Sequence, residues 1–443
     1  MRPRLRDLRR HPLLQHAVLL LTALAAIALM TPARAQQQAD DPVRALARHA
    51  EPLSDLRPLA AMAGSATVVG VGEATHGSSE FFTTKHRLFR HLVEHEGFTT
   101  YALEANWSAG LRLNAYVLRG EGDPRTIMRE EFQESYLIWH TREYLDLLEW
   151  MRRHNVRHPD RPVQFMGNDI AYAGPRLFDE VTSYVAARHP RLLPEFERLY
   201  AASRPAGGVR ETIERSMRRP LAERRAMAAD VRAALALLER QRPGPDRQRH
   251  AWVLQHARAI AQTGAEFAFD FEDPAQVGAA MRHRDRMMAE NTVWWQRQTG
   301  HRMLLSAHNG HVRYETTDPE NYPKVQGAFL RDLIGDSYVS VGFTFGRGSF
   351  NALDLTDPGE RLGTFSVPAP GPGRAEHTLE RVAAHDWYAD LRTAPRTARQ
   401  WLGVARPTWD IGNAWPDEPE RVRLLTSYDV LIHLHEVRAA ERL

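Results

Sequence analysis

Glutamate and histidine recur where short apolar runs of this sequence end. Gly72-Glu73-Ala-Thr-His76-Gly77 closes one run and Leu103-Glu104-Ala-Asn106-Trp107 a second; Gly167-Asn168-Asp169 closes a third, and Ala307-His308-Asn309-Gly310-His311 a fourth. Carboxylates beside imidazoles suit the addition of water to an ester carbonyl. A histidine takes the water's proton, a contribution of ~10²–10⁴-fold, and a carboxylate behind it orients the ring and stabilises the imidazolium. Glu73 or Glu104 can stand behind such a histidine. The developing oxyanion needs a donor, for which Lys85, His308 and His311 are the candidates. Asp169 reads first as a helix cap. Arg284, Asp285 and Asn291 read first as ties between a helical segment and the rest of the fold. The same Glu/His set offers ligand types for zinc, iron or manganese, and Glu73/His76 and His308/His311 each show ligand-pair spacing, so a metal-dependent hydrolase is the alternative.

Lys85 earns its place from helical geometry. The segment after the first run opens with the cap-type residues Ser78 and Ser79 and places Glu80 in its first turn. At 100° per residue, Phe81, Phe82, Leu88, Phe89, Leu92 and Val93 share a face, and Lys85 falls within it. Lysine is rare in this chain, with two among 58 basic residues. A core-facing ammonium needs a partner, and Glu73 or Glu104 can supply it. The same wheel removes His91-Leu-Val-Glu94-His95, an H-x-x-E-H match, because His91 and Glu94 lie off that face. H-E-x-x-H, G-x-S-x-G and P-loop patterns are absent, and Val69-Gly-Val-Gly72 lacks the third glycine of a dinucleotide fingerprint.

The elements that must position these residues follow from the apolar pattern. Runs at 67–73, 99–104, 162–167, 302–307, 338–343 and 429–434 are continuously rather than alternately apolar, which predicts strands buried on both faces. Helices are predicted between them, among others at 79–96, 139–156 and 281–297. The expected fold class is α/β, a mostly parallel central sheet flanked by helices. In such sheets ligands bind beyond the carboxyl ends of the strands, where all four motif ends fall. From about 175 to 298 the strand signal vanishes, and a helical insertion over the carboxyl edge is expected. Residues 36–443 read as one domain.

The first 35 residues read as a secretory signal peptide. Arg2, Arg4, Arg6, Arg9 and Arg10 precede the apolar stretch 17–30, and Ala33-Arg34-Ala35 offers a cleavage site. The expected destination is the periplasm or the medium. The chain holds 58 basic and 55 acidic residues, and the leader takes six Arg and one Asp of these, leaving 52 against 54. That balance gives no reason to expect nucleic acid as a partner, and no later run is long enough for a membrane span. Cysteine is absent, so stability must come from core burial rather than disulfides.

Gly70-Val-Gly-Glu-Ala-Thr-His-Gly-Ser-Ser-Glu-Phe-Phe-Thr-Thr-Lys-His-Arg-Leu88, Glu96-Gly-Phe98 and Ala102-Leu-Glu-Ala-Asn-Trp107 resemble the opening block of the erythromycin esterase family. Arg284-Asp-Arg-Met-Met-Ala-Glu-Asn291, Ala307-His-Asn-Gly-His311 and Gly335-Asp-Ser-Tyr-Val-Ser-Val-Gly-Phe343 resemble its second half, in the same order, across most of 60–350. The resemblance implies a hydrolase that opens a macrolide lactone with water and without a metal or other cofactor. It implies His76 as general base, Glu73 and Glu104 as the family carboxylates, and His308 and His311 as the later histidine pair. Lys85 stands where characterised macrolide esterases can carry Arg, which keeps the charge but loses the planar fork. The implied partner is a small-molecule ester or lactone, and antibiotic resistance the associated role. A rival of another class is a periplasmic polysaccharide-associated binding or assembly protein, with Trp107, Trp139, Trp294 and Trp295 stacking on sugars.

Overall fold

Short apolar runs become strands, and the longer periodic segments between them become the helices that cover the sheet. The computed structural model describes residues 41–359 and 361–443, so the expected signal peptide at 1–35 lies outside the described residues. The strands are β1 (Glu51–Pro52), β2 (Val68–Val71), β3 (Phe98–Asn106), β4 (Gln164–Asp169), β5 (Arg302–Ser306), β6 (Tyr338–Asp354), β7 (Leu362–Val367), β8 (Trp387–Asp390), β9 (Arg406–Thr408), β10 (Ala414–Trp415), β11 (Glu420–Val422) and β12 (Val430–Val437). Helices of eight or more residues are α1 (Ser79–His95), α2 (Trp107–Arg119), α3 (Pro124–Glu131), α4 (Arg142–Arg157), α5 (Pro175–Arg188), α6 (Leu193–Tyr200), α7 (Val209–Arg218), α8 (Leu221–Glu239), α9 (Arg247–Phe267), α10 (Pro274–Thr299) and α11 (Gln326–Ile334).

The six strands expected from the apolar runs are β2, β3, β4, β5, β6 and β12, and they lie side by side. The sheet runs β1-β8-β12-β6-β2-β5-β3-β4, with β7 and β10 also on β6. Every pairing from β12 across to β4 is parallel. The antiparallel pairings of this sheet lie outside that run, at β8, β1 and β7, and β9 and β11 form a separate antiparallel pair. The sheet is therefore mixed and mostly parallel.

Both faces are covered, which explains the continuous apolarity of the strands. Val69, Val71, Leu103, Phe343 and Phe345 pack with Phe81, Leu88 and Phe89 of α1 and Leu145 and Leu148 of α4. On the opposite face, Val68, Ala102, Met166, Met303 and Leu305 pack with Phe178 of α5, Ile260 of α9 and Trp295 of α10. The segment 175–298 thus builds α5, α6, α8, α9 and α10 as a layer on one sheet face, while α7 lines a cleft with Ile213 and Met217. α10 carries Arg284 and Asp285 to the carboxyl edge. Helix ends differ modestly from expectation. α4 starts at Arg142, because a 3₁₀ turn occupies Glu134–Trp139 and Thr141 caps the helix by accepting from Tyr144 N. α10 starts at Pro274, where Asp273 accepts from Ala275 N. Ser78 holds the cap position of α1 without capping it: its hydroxyl donates to Ser349 O at 2.9 Å.

Candidate active site

Glu73 and His76 occupy the loop between β2 and α1, beyond the carboxyl end of the central strand. His76 Nδ1 lies 2.7 Å from Glu73 Oε1. Its ring packs edge-on against Trp139, with centroids 4.8 Å apart, and tilts against His308 at 4.9 Å. With Nδ1–H donated to Glu73, Nε2 is left as the acceptor nitrogen of the ring.

Lys85 enters from α1, fully buried, and its ammonium donates to Glu73 Oε2, to Ser306 Oγ at 3.0 Å and to Ala307 O at 3.4 Å. Burial lowers its pKa from the ordinary lysine value, and the negative charge of Glu73 opposes that. All three ammonium protons are spent inside the protein. Lys85 therefore sits as the charge partner of Glu73, with no N–H left to meet an oxyanion.

Glu104, near the end of β3, forms the second half of the site. Its Oε2 accepts from His308 N at 2.8 Å, and its Oε1 lies 3.0 Å from Arg284 Nη2 and 3.1 Å from His311 Nε2. Burial pushes this carboxyl up, but His311, His76 and Arg284 outweigh it and hold Glu104 well below the usual carboxylate range. His311 Nδ1 is 2.9 Å from Asp285 Oδ1. That contact is too oblique for a hydrogen bond, since both atoms lack one, so it acts as an ion pair. Burial alone would lower the His311 pKa; Asp285 and Glu104 on its two sides instead raise it to about 10. His311 is a cation at neutral pH.

His308 is held in the opposite state. Nδ1 accepts from Gly310 N at 3.1 Å, and Nε2 lies 3.1 Å from Ile411 O, which fixes the proton on Nε2. Burial, then the neighbouring His76, puts its pKa well below the ordinary histidine value. It is a neutral spacer whose two nitrogens are both engaged.

Arg284 was expected to tie the insertion to the sheet, and it does so within the site itself. Its Nε reaches Asp169 Oδ1 at 3.0 Å, its Nη2 reaches Asp169 Oδ2 at 2.5 Å, and Tyr136 Oη donates to Asp169 Oδ2 at 2.8 Å. Asp169 is thus half of a buried ion pair, not a helix cap. Unlike Lys85, Arg284 keeps 18% of its side chain exposed. Asn291 lies deeper, donating to Asn168 O at 3.0 Å and accepting from Gln255 and Gln262 of α9. A cleft of about 650 Å³ passes close by, lined by Leu137, Ala171, Ile213, Glu266, Phe271 and Leu362 among others.

The structure brings together all six residues singled out from the sequence: Glu73, His76, Lys85, Glu104, His308 and His311. The H-x-x-E-H decoy lies at the other end of α1, where Glu94 and His95 are exposed. Sequence reasoning missed the place of Arg284, Asp169 and Tyr136 in the site, and Glu266 in the cleft. Arg284 stood inside a motif block, which was the available signal; Tyr136 and Glu266 gave none. Of the four tryptophans considered for sugar stacking, Trp107 and Trp295 are core residues of the insertion layer, and Trp139 faces His76.

The erythromycin esterase family profile matches residues 93–437. The chain belongs to that family. It is 23% identical over 363 residues to the erythromycin esterase type II of Escherichia coli, covering 77% of this chain and 84% of that protein. Among solved structures, one described as a succinoglycan biosynthesis protein superposes with a TM-score of 0.78 at 27% identity, covering 91% of this chain and 98% of that one. An erythromycin esterase mutant in its open conformation gives a TM-score of 0.68 at 17% identity, covering 86% and 94%, a likeness of fold. Membership supports a hydrolase.

Proposed function

We propose that this family member is an exported hydrolase that adds water to a carboxylic ester or macrolide lactone, with His76 as general base. The observation that carries the reading is the Glu73–His76 contact of 2.7 Å, which turns Nε2 into the proton acceptor at the carboxyl edge. Nε2 takes a proton from water, the water oxygen bonds to the ester carbonyl, and the carbonyl oxygen becomes an oxyanion. Arg284, the partly exposed guanidinium of the site, meets that charge. The C–O bond then breaks, and the imidazolium returns its proton to the leaving alkoxide. Glu73 stabilises the imidazolium between these steps, and Lys85 supplies the opposite charge beside Glu73.

The metal-dependent alternative is disfavoured by the donor set itself. Glu73 spends one oxygen on His76 and the other on Lys85, and Glu104 spends its two on His308 N, Arg284 and His311. Three cations, Lys85, Arg284 and His311, already occupy the carboxylates that would ligate an ion. Incubating the protein with macrolides and a panel of simple esters and lactones, followed by mass spectrometry, tests the proposal. Wild type is expected to give products heavier by one water, and His76→Asn none, with an unchanged circular dichroism spectrum. No turnover across the panel would reject the reading in favour of a binding role in polysaccharide assembly.

A further inference from the structure

A second cluster of ligand-type side chains lies on β12, apart from the groups that act on the ester. His433 and His435 are two residues apart on a strand and so project to the same face. Glu380 reaches them from the turn that follows the short helix Ala375–Leu379. Its Oε1 lies 3.0 Å from His433 Nε2 and 3.0 Å from His435 Nδ1. One ligand atom from each of the three residues falls within 4.8 Å of the others. Gly346 on the neighbouring strand makes this possible: a Cβ there would stand 1.9 Å from Glu380 Oε1 and 2.7 Å from His435 O.

The outer nitrogen of each ring is also provided for. His433 Nδ1 is 2.9 Å from Thr344 Oγ1, and His435 Nε2 is 3.1 Å from His385 O. A histidine that ligates a metal characteristically donates its other N–H to an oxygen in this way, which fixes the tautomer and aims the lone pair at the ion. Each nitrogen of His435 faces an acceptor oxygen, a carboxylate at one and a carbonyl at the other. An ion at the shared point satisfies the same three atoms with both rings neutral. His433 is fully buried against Trp387, whereas His435 and Glu380 each keep a fifth of their side chains exposed, so the cluster has an entry side.

We infer that Glu380, His433 and His435 form a binding site for one divalent transition-metal ion of the zinc class. Two imidazoles and one carboxylate select zinc, nickel or copper over magnesium or calcium, which prefer all-oxygen shells. The bound ion would cross-link β12 to the segment that carries Glu380, a stabilising rather than a catalytic role. The site does not depend on the ester-hydrolase reading.

The helical pairs His91/His95 and His154/His158, with ring centroids 4.5 and 4.7 Å apart, are the competing weak sites. The untagged full chain, stripped with chelator, is titrated with zinc chloride and passed through a desalting column, and retained zinc is counted by mass spectrometry. Wild type and the double variant His91→Ala/His154→Ala are expected to retain one equivalent. Glu380→Gln and His435→Ala are expected to lose it, and Thr344→Val to weaken binding by roughly 10- to 100-fold. The stripped proteins are compared by circular dichroism. Failure of wild type to retain zinc overturns the inference, as does retention unchanged in both Glu380→Gln and Thr344→Val.

Discussion

Lys85 and Glu73 each make the other's burial tolerable, since an isolated charge with no solvent contact would give up its ionisation. Lys85→Met leaves Glu73 fully buried with His76 as its one remaining partner. The expected loss is about 3–5 kcal/mol of stability in urea unfolding, together with a fall in turnover as the carboxylate behind His76 loses the partner that holds its other oxygen. Wild-type stability in this variant would show that the pair is not a structural necessity. Glu266 presents the opposite case. Burial raises its carboxyl to about 8, against the opposing pull of Arg284 and with added repulsion from Asp169 and Asp285, and its Oε2 lacks a protein partner. The folded state therefore holds a proton that the unfolded state releases near 4.5. Stability falls as pH rises from there through about 8. Glu266→Gln mimics the neutral form, so its urea midpoint should exceed that of wild type at pH 9 and match it at pH 5. Equal midpoints at both would mean that Glu266 is ionised in the fold.

At the scale of elements, what was legible in the sequence was local. Six strands, their parallel setting and the helix face that buries Lys85 all follow from runs of side chains within one segment. Four motif ends converge because parallel strands share one carboxyl edge. The antiparallel margin at β8 and β1 was not legible, since those strands are short and their runs carry no period. Nor was the central place of Arg284, whose partners Glu104 and Asp169 lie far away in sequence and on other elements. α10 acts as a lever: it is anchored through Asn291 and places Arg284 and Asp285 beside His311. Asp285 is what α10 does for His311. The pKa of about 10 lies above the ordinary 6.5, so the ion pairs stabilise the fold fully below about 6.5, and that stability is lost as pH rises through about 10. Asp285→Asn should lower the His311 titration point and bring the alkaline loss of stability to lower pH. Histidine ring NMR reads the first and urea unfolding the second. An unmoved titration point would place the source of the shift in Glu104 alone.

Across the whole molecule, the loop that carries Glu73 and His76 is held by the two strands on its far side as much as by its own neighbours. Gly77 follows His76 directly, and its carbonyl accepts from Asn351 N at 3.0 Å and from Ala440 N at 2.9 Å. Asn351 belongs to the long β6 and also donates its side-chain amide to Ala440 O at 2.8 Å. The loop between β2 and α1 is thereby clamped to β6 and to the chain that leaves β12. This approach requires a residue without a side chain, since a Cβ on Gly77 would stand 1.9 Å from Asn351 O. The obstacle is backbone on a central strand, so the loop rather than the sheet must move. Gly77→Ala should therefore cost about 1–3 kcal/mol, as overpacking does, and shift the Nδ1–Glu73 contact that orients His76. Activity should fall far more than the loss of folded protein explains, and added stabilising osmolyte should restore folding without restoring turnover. Gly371→Ala is the matched control, because a Cβ there meets nothing within 4 Å. Equal effects of the two substitutions on turnover would separate the clamp from the chemistry, whereas a selective loss in Gly77→Ala would extend the site from six side chains to the strands that fix where they stand.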